Sequence, residues 1–409
     1  MTRAAVAFYG DDFTGSVDVL LQFARFGLAG RLFTQLPSAA ALRAAADEVD
    51  VVGVAGIARS LGVDELEAEV APVFAALREV GADVVQYKAC STADSSPTVG
   101  SIGRVIELAR ASFGERAIPM LFAQPDFGRY TVFGHHFARE GDTVYRLDRQ
   151  PTMSRHPSTP MREADLAAHF AAQTALPIGS IPWAEYDGDL TRRIEGMDAA
   201  AVVLDALTDE HVELVGRAVR ALPAPVFAIG SGGLSRGLAA GLGAPVSLPT
   251  PTEASGPVLA VSGSRSPQTR RQVDAAAAAG WTVEPLRFDD GQAPGVVAAL
   301  ASGRSVALTS DDADGDVSLE RIARAAASVV STAVRAGATR RVIVCGGDTS
   351  SRVARLLGVE SLSIVANPVA NVVLLRAGSA DPAIDGLELL LKGGQVGPVD
   401  LFEVVSGSS

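Results

Sequence analysis

Ala4-Ala-Val-Ala-Phe-Tyr-Gly-Asp-Asp-Phe-Thr-Gly-Ser-Val-Asp-Val-Leu-Leu21 decides the fold. Residues 4–9 are a short apolar run without polar alternation, the pattern of a strand covered on both faces. Gly10 and Gly15 allow a tight turn, and the segment from Ser16 onward opens a helix. A buried strand that passes through a polar turn into a helix is the repeating unit of an α/β protein with a mainly parallel sheet. In such sheets ligands sit beyond the carboxyl ends of the strands. Asp11, Asp12 and Thr14 fall at that position.

The same unit recurs outward from this stretch. Further strands are expected at 51–55, 83–88, 118–123, 201–204, 225–229, 258–262, 305–309, 341–345 and 387–391. Helical segments lie between them, for example 64–80, 208–221, 267–279 and 318–336. With 409 residues the chain is too long for one ordinary domain. The stretch Leu248-Pro-Thr-Pro-Thr-Glu-Ala-Ser-Gly-Pro257 has three prolines and no periodicity, and marks a linker. Two domains are therefore expected, 1–247 and 258–409, each a mainly parallel sheet flanked by helices, with the active site in the cleft between them. No internal repeat is visible.

Composition narrows the function. Apolar residues make up 48% of the chain, enough for large cores. The net charge of −12 speaks against nucleic acid, whose backbone needs a basic surface. Neither a secretory leader nor a run long enough to span a membrane is present, and two distant cysteines, Cys90 and Cys345, fit a reducing cytoplasm. The five histidines show no zinc-binding spacing. Of the 35 basic side chains only Lys88 and Lys392 are lysines. In an arginine-rich chain, a retained lysine points to a place that needs a compact point charge.

Four polar clusters mark the first domain, the last of them Gly230-Ser-Gly-Gly-Leu-Ser-Arg-Gly237, which can approach substrate or simply start a helix. Asp11 and Asp12 can bind substrate hydroxyls or accept a proton, and one of them can equally cap the helix. Strand 83–88 runs into Lys88-Ala-Cys-Ser-Thr-Ala-Asp-Ser-Ser-Pro97, where Lys88, Ser91, Asp94 and Ser95 can hold a carboxylate and hydroxyls. Arg149 and His156 belong to a third cluster, Arg149–Met161, which reads equally well as a surface proline loop. In the second domain, strand 258–262 leads into Ser262-Gly-Ser-Arg-Ser266 and then Pro267, a cap followed by a first helical residue. Strand 341–345 leads into Gly346-Gly-Asp-Thr349, and a third strand end carries Lys392-Gly-Gly-Gln-Val-Gly397. Ser262, Ser264, Ser266, Gly346, Gly347, Thr349, Lys392, Gly394 and Gly397 can together cradle phosphates at helix starts, and Asp348 can orient Mg²⁺.

Rival motifs fail. Gly233-Leu-Ser-Arg-Gly237 matches a hydrolase elbow, but Ser235 lies past the turn and no histidine follows residue 211. No Walker A loop or dinucleotide fingerprint is present.

Taken together, Asp11-Asp-Phe-Thr-Gly, Tyr87-Lys-Ala-Cys-Ser-Thr-Ala-Asp-Ser-Ser-Pro, His156-Pro-Ser-Thr-Pro-Met, Ser262-Gly-Ser, Gly346-Gly-Asp-Thr and Lys392-Gly-Gly-Gln-Val-Gly resemble the four-carbon acid sugar kinase family. The resemblance runs nearly end to end. It implies an N-terminal domain for the sugar acid, a C-terminal domain for ATP with Mg²⁺, and phosphorylation of the terminal hydroxyl. It also implies a catabolic setting beside a dehydrogenase, an isomerase and an aldolase. The expected partner is a small sugar acid, and a homodimer is left open. Ala366-Asn-Pro-Val-Ala-Asn-Val-Val373 departs from the family's usual Gly-Glu and Pro-Gly-Val-Pro pattern, and Val396 stands where Phe is common. The alternative reading is a nucleotide-binding regulator or sensor of the same fold.

Overall fold

The computed structural model describes residues 4–289, 291–310 and 317–407; the extreme ends of the two expected domains lie outside them. The chain divides into two compact units, Met1–Val246 and Ser247–Ser409. The proline-rich stretch belongs to the second unit: Asn367 N–H donates to Pro249 O, Ala254 N–H to Ser406 O, and Arg341 Nη1 to Thr252 O.

In the first unit eight parallel strands lie in the order Gly30–Phe33, Val51–Ala55, Val6–Gly10, Val84–Lys88, Val226–Gly230, Ile118–Leu121, Ala201–Leu204, Ile178–Ile181. The strands Val6–Gly10, Val51–Ala55, Val84–Lys88 and Val226–Gly230 are buried throughout, as their mainly apolar runs require; in Val84–Lys88 the buried Gln86 amide donates to Gly230 O and Ser231 O. The chain leaves Val6–Gly10 through helix Phe13–Ala24, builds two strands on one side, then crosses through helix Val63–Val80 to Val84–Lys88 on the other. The junction of Val6–Gly10 and Val84–Lys88 is therefore a topological switch point. An antiparallel meander, Arg129–Val132, His135–Glu140 and Thr143–Arg146, is a departure from the expected βα alternation.

The second unit repeats the logic. Parallel strands Thr282–Pro285, Val306–Thr309, Leu259–Ser262, Arg341–Cys345 and Glu388–Lys392 are followed by antiparallel Val372–Gly378 and Ser361–Val369. Its switch point lies between Leu259–Ser262 and Arg341–Cys345. The departing segment 366–373 is the turn of the antiparallel hairpin. There the Asn367 amide donates to the carbonyls of Val369 and Val372 at 2.7 and 2.5 Å.

Candidate functional site

At the switch point of the first unit, backbone hydrogen bonds knit three strand ends together. Asp11 N–H donates to Lys88 O at 3.0 Å, and Arg59 N–H donates to Asp11 O at 3.1 Å. Asp12 has extended backbone and caps helix Phe13–Ala24, its Oδ1 accepting from Gly15 N–H at 3.0 Å. The cap and the functional reading are thus compatible, because the second oxygen, Oδ2, accepts nothing among the described residues. Asp11 is buried, and its two oxygens are taken by Arg59 Nη2 at 2.6 Å and Nε at 3.1 Å. The same Nη2 reaches Asp12 Oδ1 at 2.8 Å. Burial pushes the Asp11 carboxyl up from its ordinary value; Arg59, and more weakly Lys88, pull it back, while Asp12 adds to the rise.

Lys88 is 4% exposed, and its ammonium donates to Ala89 O at 2.8 Å. It forms no ion pair among the described residues, so a buried cation is left facing the strand ends. Gly15 is required by this approach: a Cβ there would stand 2.9 Å from Lys88 Nζ and overlap Asp12 Oδ1. The loop beyond Lys88 is held in shape rather than loose. Thr92 Oγ1 donates to Asp94 at 2.5 Å, and Ser95 Oγ donates to Ala93 O at 3.0 Å while bonding His169 Nε2 and Gln173 Nε2. Ala93 sits at a φ of 53°, a strained value for a residue with a Cβ. His136, fully buried, bonds Ser91 O at 2.7 Å and Thr131 Oγ1 at 2.9 Å. Burial lowers its pKa to about 4, so the imidazole is neutral, with Nε2–H donating to Ser91 O and Nδ1 accepting from Thr131.

The structure thus brings together Asp11, Asp12, Lys88 and the Ser91–Ser95 loop. Thr14 is exposed on the first helical turn beside them. Arg149 and His156 stand apart: Arg149 is exposed, His156 Nδ1 is taken by Thr159 at 2.9 Å, and no hydrogen bond links either to the cluster. Arg59, His136 and His169 were not singled out from sequence. Arg59 has one retrievable signal, its place just past the strand 51–55 that pairs with the first strand. An apolar cavity of about 280 Å³, lined by Phe113, Ile118, Ile194, Leu222, Val226 and Phe227, lies at the opposite, amino end of these strands and carries none of this chemistry.

In the second unit the residues of the expected cradle lie at neighbouring strand ends. Ser266 caps helix Pro267–Ala278, accepting from Gln268 N–H at 3.2 Å. Ser264 Oγ accepts from Ser266 N–H at 3.2 Å, and Ser262 Oγ from Ser264 N–H at 3.3 Å. Gly346 precedes helix Gly347–Leu356 at a φ of 111°, which only glycine adopts without strain, and its N–H donates to Lys392 O at 2.8 Å. Lys392 is 3% exposed and donates to Thr269 Oγ1 at 3.0 Å and Gly393 O at 3.1 Å. Burial lowers its pKa from the ordinary lysine value, and no carboxylate pairs with it among the described residues. Thr269 Oγ1 reaches Gly394 O at 2.7 Å, and Gln268 and Gln272 fix Gly397 O at 2.6 and 3.2 Å. Two helix starts and one buried ammonium at neighbouring strand ends are groups that can hold an anion. Gly347 and Asp348 are exposed at its mouth, and Thr349 is buried behind them.

The family described as the sugar-binding N-terminal domain matches residues 6–238, and that described as the nucleotide-binding C-terminal domain matches residues 259–402. The chain belongs to the four-carbon acid sugar kinase family. Within that family it is 38% identical to the 3-oxo-isoapionate kinase of Paraburkholderia graminis, over 98% of this chain and 93% of that one. It is 31% identical to a 3-oxo-tetronate kinase of Methylobacterium radiotolerans, over 97% of each. The fold is shared with a Salmonella typhimurium LT2 protein solved under the provisional name tRNA synthase, at a TM-score of 0.80, 23% identity and 98% coverage of both chains. As a member of the four-carbon acid sugar kinase family, the chain has its two clusters in the two matched domains, one in each.

Proposed function

We propose that this protein uses ATP to phosphorylate the terminal hydroxyl of a four-carbon sugar acid of the 3-oxo-tetronate, threonate or erythronate type, or of the branched 3-oxo-isoapionate type. The observation that carries the reading is the pairing of a carboxylate-and-lysine cluster in the sugar-binding domain with a glycine, hydroxyl and lysine cradle in the nucleotide-binding domain. The 38% identity to a 3-oxo-isoapionate kinase puts 3-oxo acids first among the candidates.

In this mechanism the substrate carboxylate meets Lys88, whose buried ammonium is in no ion pair among the described residues, Ser91 and Asp94 take its hydroxyls, and Ser95, its Oγ spent on Ala93 O, His169 and Gln173, holds the loop in shape. Asp12 Oδ2 accepts the proton of the reacting hydroxyl as its oxygen bonds to the γ-phosphorus. The bond from that phosphorus to the bridging oxygen breaks and ADP leaves. Phosphoryl transfer needs alignment and charge neutralisation above all, and these are what the residues supply. The helix starts at Pro267 and Gly347, with Lys392, Ser264 and Ser266, hold the phosphates, while Gly394 and Gly397 close over them. Among the described residues no group of three His, Cys, Asp or Glu side chains is placed to hold a metal by itself. A single exposed carboxylate suits Mg²⁺ carried in on the nucleotide, which needs only one or two protein carboxylates. The exposed Asp348 is the carboxylate at hand, and the cation would neutralise phosphate charge there. Neither cysteine is in a disulfide, and no helix among the described residues is long and apolar enough to cross a membrane. We propose a cytoplasmic protein; sedimentation reads whether it forms a homodimer.

The test is ADP release over a panel of four-carbon acids and 3-oxo-isoapionate, with and without Mg²⁺. Turnover with at least one acid, dependent on Mg²⁺, is expected. Tight ATP binding with no turnover on any of them would overturn the kinase reading in favour of a sensor.

A further inference from the structure

We infer that Arg59 is a positioning residue of the acceptor site: it grips both oxygens of Asp11 and the inner oxygen of Asp12, leaving Asp12 Oδ2 as the oxygen aimed at the acceptor hydroxyl. The inference rests on the kinase reading and refines it, because it separates the roles of two adjacent carboxylates. Asp11 is the anchor and Asp12 is the base.

The geometry makes this division. Asp11 is 3% exposed and both its oxygens are spent on one guanidinium, at 2.6 and 3.1 Å, so it has no free lone-pair direction toward a ligand comparable to that of Asp12. Asp12 is fixed through one oxygen by two donors, Gly15 N–H at 3.0 Å and Arg59 Nη2 at 2.8 Å. Its other oxygen is bare, and its side chain is 31% exposed. A planar fork can hold one carboxylate side-on through two nitrogens while one of them also touches the next; an ammonium can bridge the two but cannot grip either side-on. Arg59 is itself tied down, its N–H bonded to Asp11 O at 3.1 Å. Two carboxylates side by side repel, and burial pushes the Asp11 carboxyl up, so a fixed cation between them offsets part of both effects. The other groups that face the pair do not replace it. Lys88, from the neighbouring strand, acts on Asp11 more weakly than Arg59 does. Tyr9 and Tyr87 are buried phenols whose pKa values burial pushes up, and Tyr9 donates to Glu69 of helix Val63–Val80 at 3.0 Å. Cys90 is a thiol likewise pushed up by burial.

The experiment is the pH profile of kcat/KM for the sugar acid in the full-length protein, Arg59→Gln and Arg59→Lys, with KM for ATP as the check that the second domain is intact. Removing a cation at hydrogen-bond distance raises a carboxylate's pKa by ~1–3 units. The acid limb of Arg59→Gln should therefore move up by about that much, with activity partly recovered at high pH, and Arg59→Lys should fall between it and the wild type. If Arg59→Gln does not fold, the Arg59→Lys shift alone decides, and an acid limb superimposed on the wild type overturns the inference. So does a rise in the sugar-acid KM with an unmoved limb, which would make Arg59 a substrate ligand instead. Failure of the kinase reading is separate: it would appear as wild-type protein that turns over no acid at any pH.

Discussion

Lowering the pH from 7.5 to 5 is expected to destabilise the N-terminal unit by about 2 kcal/mol through one imidazole, His136. The ring is fully buried, its Nε2 spent on Ser91 O and its Nδ1 on Thr131 Oγ1, so a second ring proton would face a hydroxyl already donating and lose its place in a dry site. Its pKa is about 4 in the native state, against the ordinary 6.5 of an exposed chain. Below 6.5 the unfolded state therefore binds a proton that the native state refuses. Stability falls as pH drops through that window and levels off below about 4. The full window is worth ~3 kcal/mol at 1.36 kcal/mol per unit, and the part reached at pH 5 is about 2 kcal/mol. For a unit of this size that corresponds to a fall in Tm of ~4–8 °C.

The assay is differential scanning calorimetry of wild type and His136→Gln at both pH values. Glutamine keeps a donor for Ser91 O and cannot titrate, so the difference between the two pH dependences isolates His136 from His169 and the carboxylates. Equal pH dependence in both proteins refutes the reasoning. Since His136 holds the carbonyl of Ser91, the acid-weakened protein should also lose affinity for the sugar acid before it loses affinity for ATP.

Asp12→Asn should lower kcat by ~10²–10⁴-fold with the KM for ATP nearly unchanged, measured by coupled ADP release; unchanged turnover removes Asp12 from the mechanism. Lys392→Met deletes a buried ammonium placed for phosphate and should raise the KM for ATP by ~10–100-fold while leaving sugar-acid binding intact, read by calorimetric titration of each ligand. Gly263→Ala would drive a methyl into the Thr349 hydroxyl and to 2.9 Å from its methyl. It should cost ~1–3 kcal/mol in the second unit and weaken ATP binding by displacing Thr349, whereas an unaffected melting curve and ATP KM would mean the turn yields without cost.

Much of this was legible because the central strands are covered on both faces and therefore read as unbroken apolar runs. Val6–Gly10, Val51–Ala55, Val226–Gly230 and the Val342–Cys345 part of Arg341–Cys345 announce themselves in that way. The strands that sequence reading missed have the opposite surroundings. Gly30–Phe33, Ile178–Ile181 and Thr282–Pro285 are short and partly exposed, and the last two lie at sheet edges. Ser361–Val369 carries Asn367 and Pro368, which locally favour a turn, and it is pairing, as with Val372–Gly378, and not local propensity that makes it a strand. The site shows the same division. Asp12, Lys88, Ser264 and Lys392 sit at or just past strand ends and could be found by position. Arg59 and His136 act across 47 and 45 residues of sequence, on Asp12 and Ser91, and nothing local distinguishes them from other arginines and histidines.

One relation was invisible in the sequence altogether. Each unit begins with the same strand order: counting from its own first strand, the second and third lie on one side and the fourth on the other. No residue repeat accompanies it, because the arrangement needs only alternating strands and helices with crossovers of the preferred hand, which many sequences satisfy. What the shared order does fix is where a ligand can sit, since in both units the crevice opens between the first and fourth strands. The first unit fills that crevice with Asp11, Asp12 and Lys88, and the second fills it with Ser262, Ser264, Gly346 and Thr349. An acid and a buried cation suit a polyhydroxy carboxylate, whereas backbone N–H groups and hydroxyls suit phosphate. The specialisation of each unit is thus written in the residues at two strand ends and not in the fold that presents them.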